Sequence, residues 1–329
     1  MMDKILVIGS NSFSGASFCD FALAQGARVL GTSRSSEPVD ALLPYKWHDH
    51  AQFSFHQLDL NKDLAAIMSL INDEKPAYVV NFAAQSMVAE SWLNPADWFM
   101  TNVVSTVKFH DDLRKVDFLK RYVHISTPEV YGSCSGFVTE DNPFNPSTPY
   151  AVSRAAADMS LRSFHQAYDF PVVSTRAANV YGPGQQLYRI IPRTILFILM
   201  GKKLQLHGGG HSTRSFIHIN DVSDATWKIM VDGHNGDTYH ISTESVISIR
   251  DLVETLCQRL ERPFEEHVEI VGERLGKDAA YHLESSKIRK ELGWSDKISL
   301  DTGLDECIAW VKKYFDVLKD QPHNYTHKA

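Results

Sequence analysis

The chain has 329 residues, 43% of them hydrophobic and 22% charged, and a formal net charge of -7. That length supports a full apolar core built as one large α/β unit or two coupled domains, and the composition excludes disordered and fibrous classes. An acidic balance without a Lys/Arg cluster lacks the basic face that nucleic acid requires, so no nucleic-acid partner is expected.

Cys19, Cys134, Cys257 and Cys307 carry no CxxC spacing. They read as reduced thiols, which points to a cytoplasmic location. The amino-terminal apolar run is too short for a signal peptide, and Ile195 to Met200 is too short to cross a bilayer, so no membrane role is expected.

"KILVIG" is a β-branched run without polar alternation, the pattern of a strand buried on both faces of a parallel sheet. A helix follows from Phe13, with Phe13, Ser17, Phe21 and Ala24 on one face and Gly26 as its stop. Further strands are expected in "ARVLGTSR", at Phe53, at Ala77, at Arg121, over "PVVSTRAANVYG" from Pro171, and over "RSFIHI" from Arg214. Between them, Asp97 to Val116 and Pro149 to Tyr168 read as helices. Strands alternating with helices predict an α/β, Rossmann-type doubly wound parallel sheet. After Gly182 the texture changes, and a smaller C-terminal substrate domain is expected. The predicted division is residues 1–178 plus 214–243 for the dinucleotide and 179–213 plus 244–329 for the substrate.

"GSNSFSG" sets Gly9 and Gly15 six residues apart between the first strand and helix, with Ser12 at the middle position and Phe13 opening the helix. Glycine there permits a tight turn and close approach of a pyrophosphate to the helix amino end. The plainer alternative is an ordinary strand-to-helix turn. The second strand ends in Ser33-Arg34 where an NAD site usually has an acid. A cation there favours NADP, with NAD possible, unless Arg34 only faces solvent. Asp59 and Leu60, after the third strand, are expected near the adenine. His48, His50 and His56 lack a carboxylate or cysteine at ligand spacing, so no metal site is predicted.

Tyr150 and Arg154 stand at i and i+4 near the start of a helix and share a face. A nearby cation lowers a phenol's pKa, which would let Tyr150 act as a general base. A tyrosine simply packed at a helix start is the alternative.

The order of motifs carries more than any one of them. The glycine loop, "NFAAQS" (Asn81 to Ser86), "STPEVYG", "PYAVSR", "RAANVYGPGQ", "STRSFIHINDV" and "SSKIRKELGW" together closely resemble the extended short-chain dehydrogenase/reductases that modify nucleotide sugars. The "ST-x-EVYG" text most resembles the 4,6-dehydratases of dTDP-glucose and GDP-mannose type.

That resemblance implies Thr127, Glu129, Tyr150 and Arg154 as the catalytic set. Thr127 would hold the sugar 4-hydroxyl, Tyr150 would start oxidation at C4, and Glu129 would remove the C5 proton. It implies cofactor contacts at Gly9, Ser12, Phe13, Gly15, Ser33, Arg34, Asp59, Leu60, Ala83, Tyr150 and Arg154. Substrate contacts fall on Ser86, Asn179, Arg189, Arg214 and Arg274, the last two clamping a diphosphate. A homodimer is implied, built from the helices Asp97 to Val116 and Pro149 to Tyr168, with Phe99, Val103, Val107 and His110 as one stripe.

Two positions depart from the family pattern. Pro128 stands where an Asp or Ser is usual and has no proton to donate, and Arg154 replaces the usual lysine. A nucleotide-sugar decarboxylase, a 4-epimerase, a reductase and a non-catalytic dinucleotide sensor remain as alternatives. Arg189 or Arg193 could supply the cation that a decarboxylase needs.

Overall fold

The computed structural model describes residues 3–134, 136–272 and 282–328. The first strand, β1 (Lys4–Ile8), sends Ile5 and Val7 to one face of the sheet and Leu6 and Ile8 to the other, all four buried. This is what a run without polar alternation requires when helices cover both faces.

In chain order there follow α1 (Phe13–Ala24), β2 (Arg28–Ser33), β3 (Phe53–Gln57), α2 (Leu64–Glu74), β4 (Tyr78–Asn81), α3 (Pro95–Phe99), α4 (Thr106–Leu113) and β5 (Arg121–Ile125). Next come β6 (Phe137–Val138), α5 (Pro149–Tyr168), β7 (Val172–Ala177), β8 (Asn179–Tyr181), α6 (Ile190–Leu199), β9 (Leu204–His207), β10 (Thr213–Arg214), β11 (Phe216–His218), α7 (Ile219–Asp232), β12 (Thr238–Ile241), β13 (Ile247–Ser248) and α8 (Ile249–Arg259).

The main sheet has seven strands in the order β12-β7-β5-β4-β1-β2-β3, and every pairing in it is parallel. The Rossmann-type α/β expectation is met. From β1 the chain winds outward to β3 and then returns to β4 on β1's other side. The loops after β1 and β4 therefore diverge, and that is where an open α/β sheet presents its crevice. A separate apolar core joins α6, α8 and the later helix Leu300–Lys313 through Ile191, Ile195, Leu252, Leu256, Leu304 and Val311.

Four local expectations need correction. The run from Pro171 is two strands. Ala178 N–H bonds Ile241 O at 3.0 Å at the end of the main sheet, and Asn179 N–H then turns to Ser215 O at 3.1 Å, so that β8 pairs with β11. The text from Arg214 is likewise split, because β10 pairs with β13 while β11 pairs with β8.

On α1 the expected single face is too narrow. Ala24 is exposed whereas Ala16, Phe18, Cys19 and Ala22 are buried, because the helix is packed between the sheet and α7. The helix expected over Asp97 to Val116 contains a π-helical stretch at Met100–Ser105 between α3 and α4. This shifts the phase of the predicted stripe. Phe99 is exposed and Val103 and Val107 only half-buried, while Trp98, Asn102, Thr106 and Phe109 face inward with His110.

Candidate functional site

Gly9 adopts a φ of +84°, and a Cβ there would stand 2.7 Å from Ala83 N in the loop after β4. A Cβ on Gly15 would stand 2.2 Å from Gly9 O. Both glycines are therefore fixed by close backbone approach. Ser12, the departure from a third glycine, caps α1: its hydroxyl accepts from Gly15 N–H at 3.1 Å and donates to Gly9 O at 2.7 Å. No acidic residue stands in the first turn of α1. Its amino end, next to the divergence of β1 and β4, is a cradle suited to a diphosphate.

Two of the expected catalytic residues, Glu129 and Tyr150, are placed by the same local device. Thr127 caps a 3-10 turn, Pro128–Tyr131, accepting from Glu129 N–H at 3.3 Å. Thr148 caps α5, accepting from Ala151 N–H at 3.1 Å. In each case proline takes the first helical position, where its missing N–H costs nothing, and Glu129 or Tyr150 follows at the second. Pro128 is thus a helix starter, which accounts for its place in the motif.

One cavity of about 890 Å³ receives both residues. Its lining includes Ser12, Phe13, Arg34, Ser86, Thr127, Glu129, Tyr150, Arg154, Asn179, Arg189 and Arg214 among the predicted site residues. Gly9, Gly15, Ser33 and Ala83 are not among its lining residues. Ser33 Oγ accepts from Asn11 N–H at 2.9 Å, and Ala83 N–H donates to Asn81 Oδ1 at 2.9 Å. Asp59 and Leu60 do not line it either: Asp59 Oδ1 accepts from Asn61 N–H at 2.8 Å, and Leu60 is buried in the core beneath α2. Arg274 lies outside the described residues.

Arg154 and Tyr150 share a helix face as expected, but the guanidinium is only 2% exposed and is committed to the end of β5. It donates to Ile125 O and approaches His124 Nε2 at 3.2 Å. Burial raises the Tyr150 pKa, Glu129 adds to the rise, and Arg154, Thr127 and Arg189 offset it only in part. The cation acts in the predicted direction without prevailing.

Behind these residues runs a buried network that sequence reasoning missed. Asp158, one turn beyond Arg154 on α5, accepts from Arg176 Nη2 at 2.8 Å and from Ser126 Oγ at 2.7 Å. Its other oxygen lies 3.4 Å from His124 Nε2. Burial opposes the charge on Asp158, yet Arg176, His124 and Arg154 outweigh it and hold the carboxyl well below its usual range. Arg176 continues to the Tyr131 hydroxyl, which bonds His240 Nε2 at 2.7 Å. The Arg154-to-Asp158 spacing was a findable signal, since i and i+4 share a face.

His48 and His50 do meet a carboxylate, contrary to expectation. Asp20 Oδ1 lies 3.1 Å from His48 Nδ1 and 3.0 Å from His50 Nε2. It comes from α1, far outside any ligand-spacing rule, while His56 lies apart on β3. Among the described residues no helix is long and apolar enough to cross a membrane.

Residues 6–307 match the model of the GDP-mannose 4,6-dehydratase family. The chain belongs to that family. It is 30% identical over 325 residues to a dTDP-glucose 4,6-dehydratase of Xanthomonas campestris, covering 93% of this chain and 92% of the relative. A crystal structure of dTDP-glucose 4,6-dehydratase from Streptomyces venezuelae, with NAD bound, superposes with a TM-score of 0.87 at 29% identity, covering 95% of this chain and 98% of that one. UDP-glucose 4-epimerase from Thermotoga maritima, with UDP-glucose, gives 0.86 at 25% identity over 95% and 99% of the two chains. The chain is thus an enzyme of the nucleotide-sugar dehydratase and epimerase class, as its motif order implied.

Proposed function

We propose that the cavity performs 4,6-dehydration of a nucleoside-diphosphate hexose, with Tyr150 and Glu129 acting in successive steps. The observation that carries this is the convergence of Thr127, Glu129 and Tyr150 on one cavity that Arg189 and Arg214 also line. A nicotinamide dinucleotide, when bound, supplies the acceptor for hydride from C4 and its later return. The sequence of the glycine loop and the acid-free amino end of α1 support its diphosphate there.

Tyr150 takes the proton of the 4-hydroxyl, which Thr127, lining the same cavity, holds in place. A ketone at C4 acidifies C5–H, and Glu129 takes that proton. The C6 hydroxyl then leaves as water. Pro128 has no proton to give, so we assign the protonated Glu129 carboxyl as the donor, which passes the C5 proton to the leaving oxygen. C5 would take up a solvent proton as hydride returns to C6, and the proton that Tyr150 took from the 4-hydroxyl would go to solvent, which balances the turnover.

Glu129→Gln separates the steps. Tyr150→Phe is expected to abolish substrate-dependent reduction of the dinucleotide, whereas Glu129→Gln keeps it and stops exchange of the C5 hydrogen with deuterated water. Full C5 exchange in Glu129→Gln sinks the assignment of Glu129 as the C5 base, and absence of C5 exchange in the unaltered chain leaves an epimerase or a simple dehydrogenase.

The finer cofactor reading is NADP, supported by Arg34 at the end of β2 with no acid beside it. NAD is the second reading, favoured by Arg34 Nη1 already donating to Lys328 O at 3.0 Å. Residues 1–178 plus 214–243 would carry the dinucleotide and 179–213 plus 244–329 the sugar nucleotide, a division that the separate core around α6 and α8 supports. Four free cysteines support a cytoplasmic location.

A homodimer is part of the same proposal. Trp92, Leu93, Phe99, Met100 and Val104 are exposed beside Val152 and Met159 of α5, against which α3 packs. A contiguous apolar face of this kind calls for a partner. Light scattering that finds a monomer at micromolar concentration contradicts it.

A further inference from the structure

Beyond the helix Leu300–Lys313 the chain crosses back over the molecule in an extended run. Gln321, His323, Tyr325 and His327 are half-buried, while Pro322, Asn324, Thr326 and Lys328 are exposed. This two-residue alternation is that of an extended segment laid on a surface, and every aromatic residue in it points inward.

Each finds an aromatic partner. His323 meets Phe197 of α6 edge-on, with ring centroids 5.8 Å apart, and Tyr325 meets Tyr188 at 5.5 Å. His327 stacks on Trp98 at 5.0 Å with an interplanar angle of 17° and bonds Asp97 Oδ2 at 2.7 Å. Arg193 Nη2 donates to Asn324 Oδ1 at 3.2 Å. The segment thus begins on the α6 side of the cavity and ends on the sheet side.

Its end is the informative part. The Lys328 carbonyl accepts from Arg34 Nη1 at 3.0 Å and from Gln85 Nε2 at 2.6 Å. Arg34 follows β2, and Gln85 lies in the loop after β4. These two strands flank β1, so a group bonded to both spans the mouth of the crevice over the glycine loop. Gln85 is itself fixed from behind: its N–H donates to Asn102 Oδ1 at 2.9 Å, and Asn102 also bonds Ser153 Oγ of α5 at 3.0 Å. One anchor is rigid and buried and the other is an exposed arginine.

We propose that residues 321–328 form a strap that closes over the dinucleotide and takes the Arg34 donor that a 2′-phosphate would use. The closed strap therefore retains NAD, and NADP is admitted with the strap displaced. This rests on the dinucleotide site above and takes NAD, the second cofactor reading given there, as the one the closed state holds. It suits a reaction in which hydride leaves and returns within one turnover, since a dinucleotide that is regenerated in place gains nothing from leaving.

The test uses the full chain, a chain ending at residue 320, and His327→Ala in the full-length chain, with NAD and NADP as probes. Release of NAD is followed by stopped-flow displacement and affinities by calorimetry. The shortened chain is expected to release NAD about tenfold faster, the equivalent of losing roughly 1.4 kcal/mol, and its affinity ratio is expected to shift toward NADP. His327→Ala should move both readings in the same direction by less, without loss of any backbone. Arg34→Ala in the shortened chain should cancel the gain for NADP.

Unchanged release and an unchanged ratio in both variants overturn the strap while leaving the dinucleotide site intact. Tighter NAD binding by the shortened chain also overturns it, because the segment would then be a plug in the dinucleotide's place. Failure of every chain to bind either dinucleotide overturns both the strap and the proposed function.

Discussion

The floor and the rim of the cavity are both rich in charge, and they are built on opposite plans. On the floor, Asp158, Arg176, His124 and Arg154 are all within 7% of full burial, and each charge has a counter-charge or a hydrogen bond fixed by the sheet or α5. At the rim, Arg34 and Arg189 are exposed and Arg193 and Arg214 half-buried, on loops and at element ends. A buried charge is tolerable only when its partner is placed in advance, so the floor is rigid. Guanidinium groups nearer the surface can follow a ligand, exchanging for it the protein partners they hold, as Arg34 holds Lys328 O and Arg193 holds Asn324 Oδ1. Fixed and adaptable charge are thus placed at different depths of the same site.

The largest expected effect comes from breaking the floor. Asp158→Asn leaves the Arg176 guanidinium, 3% exposed, without its counter-charge. Loss of about 3–5 kcal/mol of stability is expected, as for other buried pairs deprived of one partner, and urea denaturation measures it. The pH dependence has a definite sign. The carboxyl titrates below its unfolded value, so its contribution is complete above the ordinary aspartate range, about pH 4, and fades as pH falls toward the lower folded value. The stability gap between wild type and Asp158→Asn should therefore narrow in acid. A gap independent of pH would mean that the network acts by shape and not by charge.

A smaller effect is expected at the rim. Arg214→Ala should raise KM for the nucleotide sugar by about tenfold, roughly 1.4 kcal/mol, with kcat retained, because a diphosphate clamp binds ground and transition states alike. Steady-state kinetics checks this. A fall in kcat with KM unchanged would erase the contrast between floor and rim by placing Arg214 in the chemistry.

What was legible in the sequence was local. The glycine loop, the Thr-Pro-Glu and Thr-Pro-Tyr helix starts and the apolar strands each carry their signal within a few residues, and they placed Glu129 and Tyr150 in one cavity. The floor was not legible, because Arg176 and His240 reach Asp158 and Tyr131 from strands far along the chain. Arg154 illustrates the boundary. Its helix position was foreseen, but its burial against Ile125 O depends on where β5 ends. The carboxyl-terminal run shows the same limit: alternating His323, Tyr325 and His327 are visible as a pattern, but nothing in the pattern names Phe197, Tyr188 and Trp98 as its targets.

The wide turn at Met100–Ser105 has a consequence for how this sequence can change. An ordinary helix advances about 100° per residue, so removing one residue from this turn would give α3 and α4 a continuous α-helical ladder and rotate everything on one side of the cut relative to the other. Local regularity would improve. Asn102, which ties the Gln85 backbone to Ser153, would swing off its partners, and with it the loop after β4 would lose its backing. The extra residue acts as a phase shifter between two helices. Its length is therefore under a tighter constraint than its side chains, and substitutions there should be tolerated more readily than any deletion.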